Sequence, residues 1–179
     1  MATLAGNIAD SSPIGDTIPP LLVLNGRITA AGLAQERSIA LDQFFKGPGE
    51  NYLKPEEVIL RVQFSVPEKG RGAHIKLGLR NGASCSVVSV AVWLVADGNQ
   101  VEDIRIAVGG AAPTPIRAKK TERVFKGKKL DWENIENLSG EIVKEISPIT
   151  DVRGSAEYRR QVSVKLLSQA VRQALGMEE

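Results

Sequence analysis

Apolar residues follow two regimes along this chain: short runs with strand-like spacing up to Gly109, and recurrence every three or four residues after Pro115. In the first regime, residues 21–28 form an apolar stretch that ends at Asn25-Gly26. With residues 37–41 it predicts a hairpin-like pair on a sheet edge. Phe44-Phe45 is an apolar anchor before the turn-rich Lys46-Gly47-Pro48-Gly49, and Lys54-Pro55-Glu56-Glu57 reads as a turn leading into a strand at 58–66. Residues 67–72 read as a linker. Strands are predicted at 73–80, 84–95 and 101–109, the last two joined antiparallel through Asp97-Gly98.

In the second regime, residues 116–124 predict a short helix, and Trp132, Ile135, Leu138, Ile142 and Ile146 mark one buried face, with Asp131 as N-cap and Pro148 as stop. The longest predicted helix covers 155–175, with Tyr158, Val162, Leu166, Ala170 and Ala174 on one stripe beside Leu167, Val171 and Leu175. Strands followed by helices make an α+β arrangement. Trp93 and Trp132 are spaced as core residues, and His74 and Cys85 read as structural.

Composition narrows the function classes. Of 179 residues, 42% are hydrophobic, enough for a real core. Lys and Arg total 23 against 21 Asp and Glu, and with a net charge of +2 and no long basic block there is no sign of a nucleic-acid partner. One cysteine excludes an internal disulfide, and one cysteine with one histidine cannot build a zinc or iron–sulfur site. Apolar runs fall far short of the ~20 residues that cross a bilayer, and no basic-then-apolar signal opens the chain, so no membrane is expected and the expected location is cytoplasmic.

Candidate chemistry concentrates in residues 3–16. Gly6 permits close backbone approach to a ligand, while Asn7, Asp10, Ser11, Ser12 and Asp16 can fold the chain back through side-chain-to-backbone hydrogen bonds. Such a segment can cradle a diphosphate; it can equally be an N-terminal loop with helix caps. Strand alternation puts Lys76 on one face with His74 and Gly78, where a lysine can also be simply solvated.

Five ordered motifs carry a family resemblance: Thr3-Leu4-Ala5-Gly6-Asn7-Ile8 with Ser12-Pro13-Ile14-Gly15-Asp16; Leu53-Lys54-Pro55-Glu56-Glu57; Lys76-Leu77-Gly78-Leu79-Arg80; Gly109-Gly110-Ala111-Ala112-Pro113-Thr114-Pro115; and Ser155-Ala156-Glu157-Tyr158-Arg159-Arg160. With these the chain resembles the FAD-binding (medium) subunit of molybdenum hydroxylases of the carbon monoxide dehydrogenase and xanthine dehydrogenase type.

The resemblance implies the second subdomain of a two-part FAD-binding fold over residues 1–70, then a C-terminal α+β domain over 71–179, a three-stranded antiparallel sheet packed on helices. It implies FAD as cofactor, with Thr3, Gly6, Asn7 and Asp10 near the phosphates and ribityl chain and Asp16 bonding sugar or ribityl hydroxyls. Leu53 would pack beside the isoalloxazine ring, and Lys76 would approach the flavin and stabilise its reduced, anionic form. Tyr158 would be buried and Arg159 and Arg160 would cap or pair, all three in a structural role. The implied partners are an iron–sulfur small subunit and a molybdenum large subunit, with an acceptor such as NAD.

The sequence departs from the family pattern in three places. The family's first FAD subdomain, with its glycine-rich loop, is missing ahead of Met1, as in a fragment, an internal start or a split gene. FAD affinity of the chain alone is therefore expected to be weak, with a separate N-terminal subdomain as a further partner and self-association as an outcome in isolation. Ala5 replaces a second glycine, and Ala83-Ser84 stand where an acid is usual. A non-catalytic assembly or docking module that no longer holds FAD is the alternative.

Overall fold

Two prolines decide the first departure from the sequence pattern. Pro19 and Pro20 sit in the first turn of a short helix, where a fixed φ and a missing N–H cost nothing. Residues 21–28 are therefore not one strand: the helix takes their first half, Asn25 (φ 51°) and Gly26 turn the chain, and a strand begins only at Arg27. The computed structural model of the protein describes residues 3–80 and 84–177.

In the N-terminal part, helices α1 (Leu4–Ala9) and α2 (Ile18–Val23) precede β1 (Arg27–Ala31) and β2 (Glu36–Ala40). The β3 (Phe45–Gly47) and β4 (Glu50–Asn51) strands form a small ladder where a loop is predicted, and β5 (Val58–Gln63) completes an antiparallel sheet in the order β2-β1-β5. The predicted pairing of 37–41 survives, with Ile28 opposite Ile39 on one side and Val62 on the other. Ile8, Ile18, Leu21, Leu22, Ile28, Leu41 and Phe44 form the core beneath. The Lys54–Glu57 turn is locked by Glu57, which accepts from the Lys54 amide (2.8 Å) and takes the Arg37 guanidinium in a two-bond fork (2.8 Å each).

The C-terminal part begins with β6 (Arg71–Gly78), so the linker is shorter than expected. With β7 (Ser86–Asp97) and β8 (Gln100–Gly109) it forms the expected three-stranded antiparallel sheet, and β9 (Ile116–Arg117) extends the edge. The helix predicted over 116–124 is thus β9 followed by α3 (Lys119–Phe125); Val108 and Ala107 pair with Ile116 and Arg117, holding those two residues extended. Glu145 caps α3 from a distance, accepting from the amides of Lys120 (2.9 Å) and Thr121 (2.6 Å). Asp131 makes the predicted cap, in a reciprocal capping box, for α4 (Trp132–Ser139), after which a 3-10 turn ends at Lys144, before Pro148 is reached.

The last helix, α5 (Ala156–Leu175), has Ser155 as N-cap and Gly176 in the left-handed region as C-cap. Its stripe needs correction at the first turn. Steps of four residues overshoot a helical turn by about 40° each, so extending the stripe back from Leu166 rotates Tyr158 out to 45% exposure. Arg159 takes the inward position instead and is 2% exposed. Trp132 is also exposed, with the Arg172 guanidinium 4.5 Å from its ring centroid.

The β6-β7-β8 sheet serves both cores. Strand alternation sends Ala73, Val88, Val90, Val92, Leu94, Ile104, Ile106 and Val108 to the face covered by α5, and Ala91 and Ala107, with the half-buried Trp93, to the face covered by α2. Burial on both faces is why residues 84–95 read as a nearly unbroken apolar run. Two arginines on that second face close the end of α2: Arg105 donates to the Val23 carbonyl (3.3 Å), and Arg117 to the Leu22 carbonyl (3.3 Å) and Asn25 (3.0 Å).

Candidate functional site

Thr3 is extended and its hydroxyl oxygen accepts from the Gly6 amide at 3.0 Å, capping α1. A Cβ on Gly6 would come within 2.9 Å of that oxygen, so the glycine keeps the cap intact as well as the surface open. Thr3, Gly6, Asn7 and Asp10 recur at helical spacing on one accessible side of α1, while Ile8 is buried. A six-residue helix rises about 9 Å, so this side is an extended strip and Asp10 stands at its far end. Ser11 (φ 53°) ends the helix and is held by Asn51, whose amide donates to Ser11 Oγ and to the Ala9 carbonyl (3.0 Å each). Asn51 Oδ1 in turn accepts from the Leu53 amide (2.9 Å), so Leu53 is tied to the C-terminal end of α1.

The next turn is seated on the C-terminal part. The Pro13 carbonyl accepts from the Gly110 amide at 2.7 Å. Gly110 has φ +77° and an added Cβ would lie 2.6 Å from the Val87 carbonyl oxygen, so only glycine fits. Arg159 fixes this junction from α5, donating to the carbonyls of Val87 (2.6 Å) and Gly110 (2.8 Å) and to Asp151 (2.6 Å). Burial would raise Asp151, but the Arg153 amide and the Arg159 guanidinium outweigh it and hold its carboxyl below the usual range.

The seated turn delivers Asp16 to β6. Its Oδ2 lies 2.5 Å from Lys76 Nζ, and its Oδ1 accepts from the Ser86 hydroxyl. Lys76 also donates to the Ser84 carbonyl (3.3 Å), so an oxygen does approach the lysine there although no acid is present; Ala83 lies outside the described residues. Asn7 Oδ1 accepts from the Thr17 hydroxyl (2.5 Å), joining the α1 strip to this pair.

Between α1, α2, β6 and the end of β5 opens a cleft of about 650 Å³, walled by Leu4, Pro20, Leu21, Leu24 and Phe64 with Asp16, Thr17, His74 and Lys76 at its polar side. Leu4 (38%) and Phe64 (49%) are exposed large side chains in its walls. Partial burial holds the His74 imidazole below its ordinary value, with Asp16 opposing and Lys76 adding to that effect. Of the expected residues, Asp16 and Lys76 line the cleft, Thr3, Gly6, Asn7 and Asp10 lie along α1, and Leu53 is not among the lining residues.

Sequence reading missed His74, Phe64, Thr17, Ser86 and Asn51 as members of this neighbourhood; His74, two residues from Lys76 on the same strand face, carried the only usable signal. Cys85 is exposed rather than packed in a core. A second hollow of about 530 Å³, lined by Lys69, Arg71, Asp97 and Glu102 among others, contains none of the expected residues. Among the described residues no group of three or more His, Cys, Asp or Glu could hold a metal ion, and no helix is long and apolar enough to cross a membrane.

These residues fit FAD. An apolar cleft with exposed Leu4 and Phe64 suits a flat ring system, and a strip of small and polar side chains leading away from it suits a hydroxylated, phosphorylated chain. Asp16 and Lys76 differ from the expected picture in one respect: each already has the other as partner.

Comparison with known proteins agrees. Residues 1–68 match the FAD binding domain in molybdopterin dehydrogenase, and residues 73–174 match the CO dehydrogenase flavoprotein C-terminal domain. The glyceraldehyde dehydrogenase medium chain of Sulfolobus acidocaldarius is 32% identical over 168 residues, covering 94% of this chain and 59% of the relative. The nicotine 6-hydroxylase medium subunit of Paenarthrobacter nicotinovorans is 32% identical over 172 residues, covering 96% and 60%. The solved structure of reconstituted CO dehydrogenase from Oligotropha carboxidovorans superposes with a TM-score of 0.92 at 26% identity, covering 99% of this chain and 62% of that one. The chain therefore spans about 60% of the length of these three relatives. With a domain match over more than half its length, preceded by the matching FAD-binding segment, the chain belongs to the FAD-binding medium-subunit family of the molybdenum hydroxylases.

Proposed function

We propose that residues 1–70 form the second FAD-binding subdomain and residues 71–179 the C-terminal domain of the flavoprotein part of a molybdenum hydroxylase. FAD, when bound, supplies the redox chemistry. The observation that carries the reading is the continuity between the accessible side of α1 and the Asp16–Lys76 cleft, joined by the Asn7–Thr17 hydrogen bond.

In this reading Thr3, Gly6, Asn7 and Asp10 hold the phosphates and ribityl chain, and Asp16 keeps lone pairs for sugar or ribityl hydroxyls while it orients Lys76. Lys76 puts its charge at the edge of the cleft, where it stabilises negative charge on a reduced ring, and Leu53, away from the cleft, supports the far end of α1 instead of the ring. A molybdenum large subunit would oxidise the substrate, an iron–sulfur small subunit would relay electrons to this site, and an acceptor such as NAD would receive them. The cytoplasm is the compartment proposed for that assembly.

One observation favours a second reading, a docking module without FAD: Asp16 and Lys76 are already paired with each other. Titration with FAD, followed by flavin fluorescence, separates the two. The chain alone should bind weakly, and saturable binding should appear when the glycine-rich flavin subdomain of a relative is supplied. No binding in either mixture rejects the FAD reading in favour of docking.

A further inference from the structure

His74 is the chain's one histidine. It projects from β6, an edge strand of its sheet, on the same face as Lys76. It lines the 650 Å³ cleft and also an adjoining apolar hollow of about 220 Å³ bounded by Pro20, Leu24 and Trp93, so it stands where the two meet. No protein hydrogen bond holds its ring among those of the described residues, and the side chain is exposed toward the cleft. The groups that face it are Lys76 from its own strand and Asp16 from the turn before α2; α1, α2 and the end of β5 contribute Leu4, Thr17, Pro20 and Phe64, which carry no charge.

We propose that His74 is a ligand-contact residue of the cleft and that its neutral imidazole forms part of the wall against which the ring of FAD packs, making cofactor binding proton-linked. The inference rests on the FAD reading above and adds a regulation to it. Desolvation sets the sign: a protonated ring would have to be desolvated against an apolar ligand, and this outweighs the Asp16 carboxylate, which favours the charged form, while Lys76 adds a smaller repulsion. The neutral form is therefore the binding-competent one, and apparent affinity scales with its population.

Between pH 5.5 and 7.5 His74 is the only side chain of the chain whose ordinary titration range lies inside the window. With the ordinary value of about 6.5 as the upper limit and burial shifting the ring downward, FAD should bind more weakly at pH 5.5 than at pH 7.5, by up to about 10-fold.

The single histidine gives a single ring signal, so NMR of the imidazole during FAD titration reads the contact directly and detects weak complexes. The expected result is a saturable FAD-dependent shift of the His74 ring signals, a lower titration midpoint of the ring in the complex, and a pH-independent FAD affinity over this window for His74→Phe. Saturable FAD binding without movement of the ring signals, or the same pH dependence in His74→Phe as in the wild type, overturns the role of His74 and leaves the FAD reading standing. Absence of any FAD-dependent change in the spectrum of the labelled chain at either pH, both alone and with the glycine-rich flavin subdomain of a relative supplied, overturns the FAD reading and this inference together.

Discussion

Replacing Arg159 with Met tests whether the junction behind the cleft is held as described. Methionine keeps an unbranched apolar stem but removes three contacts: two to main-chain carbonyls, of Val87 and Gly110, and one to Asp151. Breaking a buried pair by deleting one partner costs about 3–5 kcal/mol, and each buried carbonyl left without a donor costs about 1–3 kcal/mol, not additively. Two features pull the figure toward the low end. Asp151 is 24% exposed and can rehydrate, and the buried Arg159 Nε has no partner among the described residues, so its desolvation is recovered in the variant.

A loss of about 3 kcal/mol follows, which at a urea m-value of about 2 kcal/mol/M lowers the unfolding midpoint by roughly 1.5 M. Arg153→Met, which gives up a more exposed contact to the same carboxylate, should lose no more than about 1 kcal/mol. The effect should also reach the cleft, because Arg159 holds the carbonyl of Gly110, the residue whose amide seats Pro13 and hence Asp16. Urea unfolding of the two variants side by side is the assay. A midpoint shift for Arg159→Met below about 0.5 M, or equal to that of Arg153→Met, would refute the reasoning.

Three further predictions follow from the same geometry. Asn7→Leu removes the Thr17 contact and a polar group from the α1 strip, and should weaken FAD binding at least tenfold, about 1.4 kcal/mol, in the fluorescence titration with the flavin subdomain supplied; unchanged affinity removes Asn7 from the site. Lys76→Met deletes a cation and at the same time leaves the Asp16 carboxylate uncompensated, so the potential of bound flavin should fall by about 30 mV or more in a redox titration, about 1.4 kcal/mol for a two-electron couple. An unmoved potential makes Lys76 a bystander. Arg37 and the Lys54 amide hold the Glu57 carboxyl down to about 2, below its ordinary 4.5, so its stabilising contribution is full above pH 4.5 and is lost as pH falls toward 2. The stability difference between wild type and Glu57→Gln should shrink across that window, and a constant difference would contradict the pairing.

Much of the second half was legible because local pattern and tertiary role coincide. The apolar run of β7 belongs to a strand buried on both faces, the hairpin signalled by Asp97-Gly98 forms with Gly98-Asn99 as its two-residue loop, and Asp131 and Ser155 cap the helices they precede. Legibility failed where long-range contacts override local pattern. Pro19-Pro20 stands just ahead of an apolar stretch that resembles a strand; the prolines suit a helix start, and the packing of α2 against the sheet carries the first part of that stretch into the helix. Ile116 is held extended by pairing with Val108, not by anything in its own neighbourhood. At the site, residue types in 3–16 were informative because capping and turn chemistry are local, whereas the Asp16–Lys76 pair joins residues 60 apart, and Phe64 reaches the cleft from just past β5 and His74 from β6. No periodicity marks such a meeting. The resemblance supplied Asp16 and Lys76 singly; the structure supplies their pairing.

The central claim is that FAD lies along the accessible side of α1 with its ring in the Asp16–Lys76 cleft, and mapping amide chemical-shift changes on the chain as FAD is added tests it most directly. The account predicts saturable changes concentrated at Gly6, Asn7, Asp10, Thr17, His74 and Lys76. Changes confined to the hollow of Lys69, Arg71, Asp97 and Glu102, with the α1 strip and the cleft silent, would contradict it.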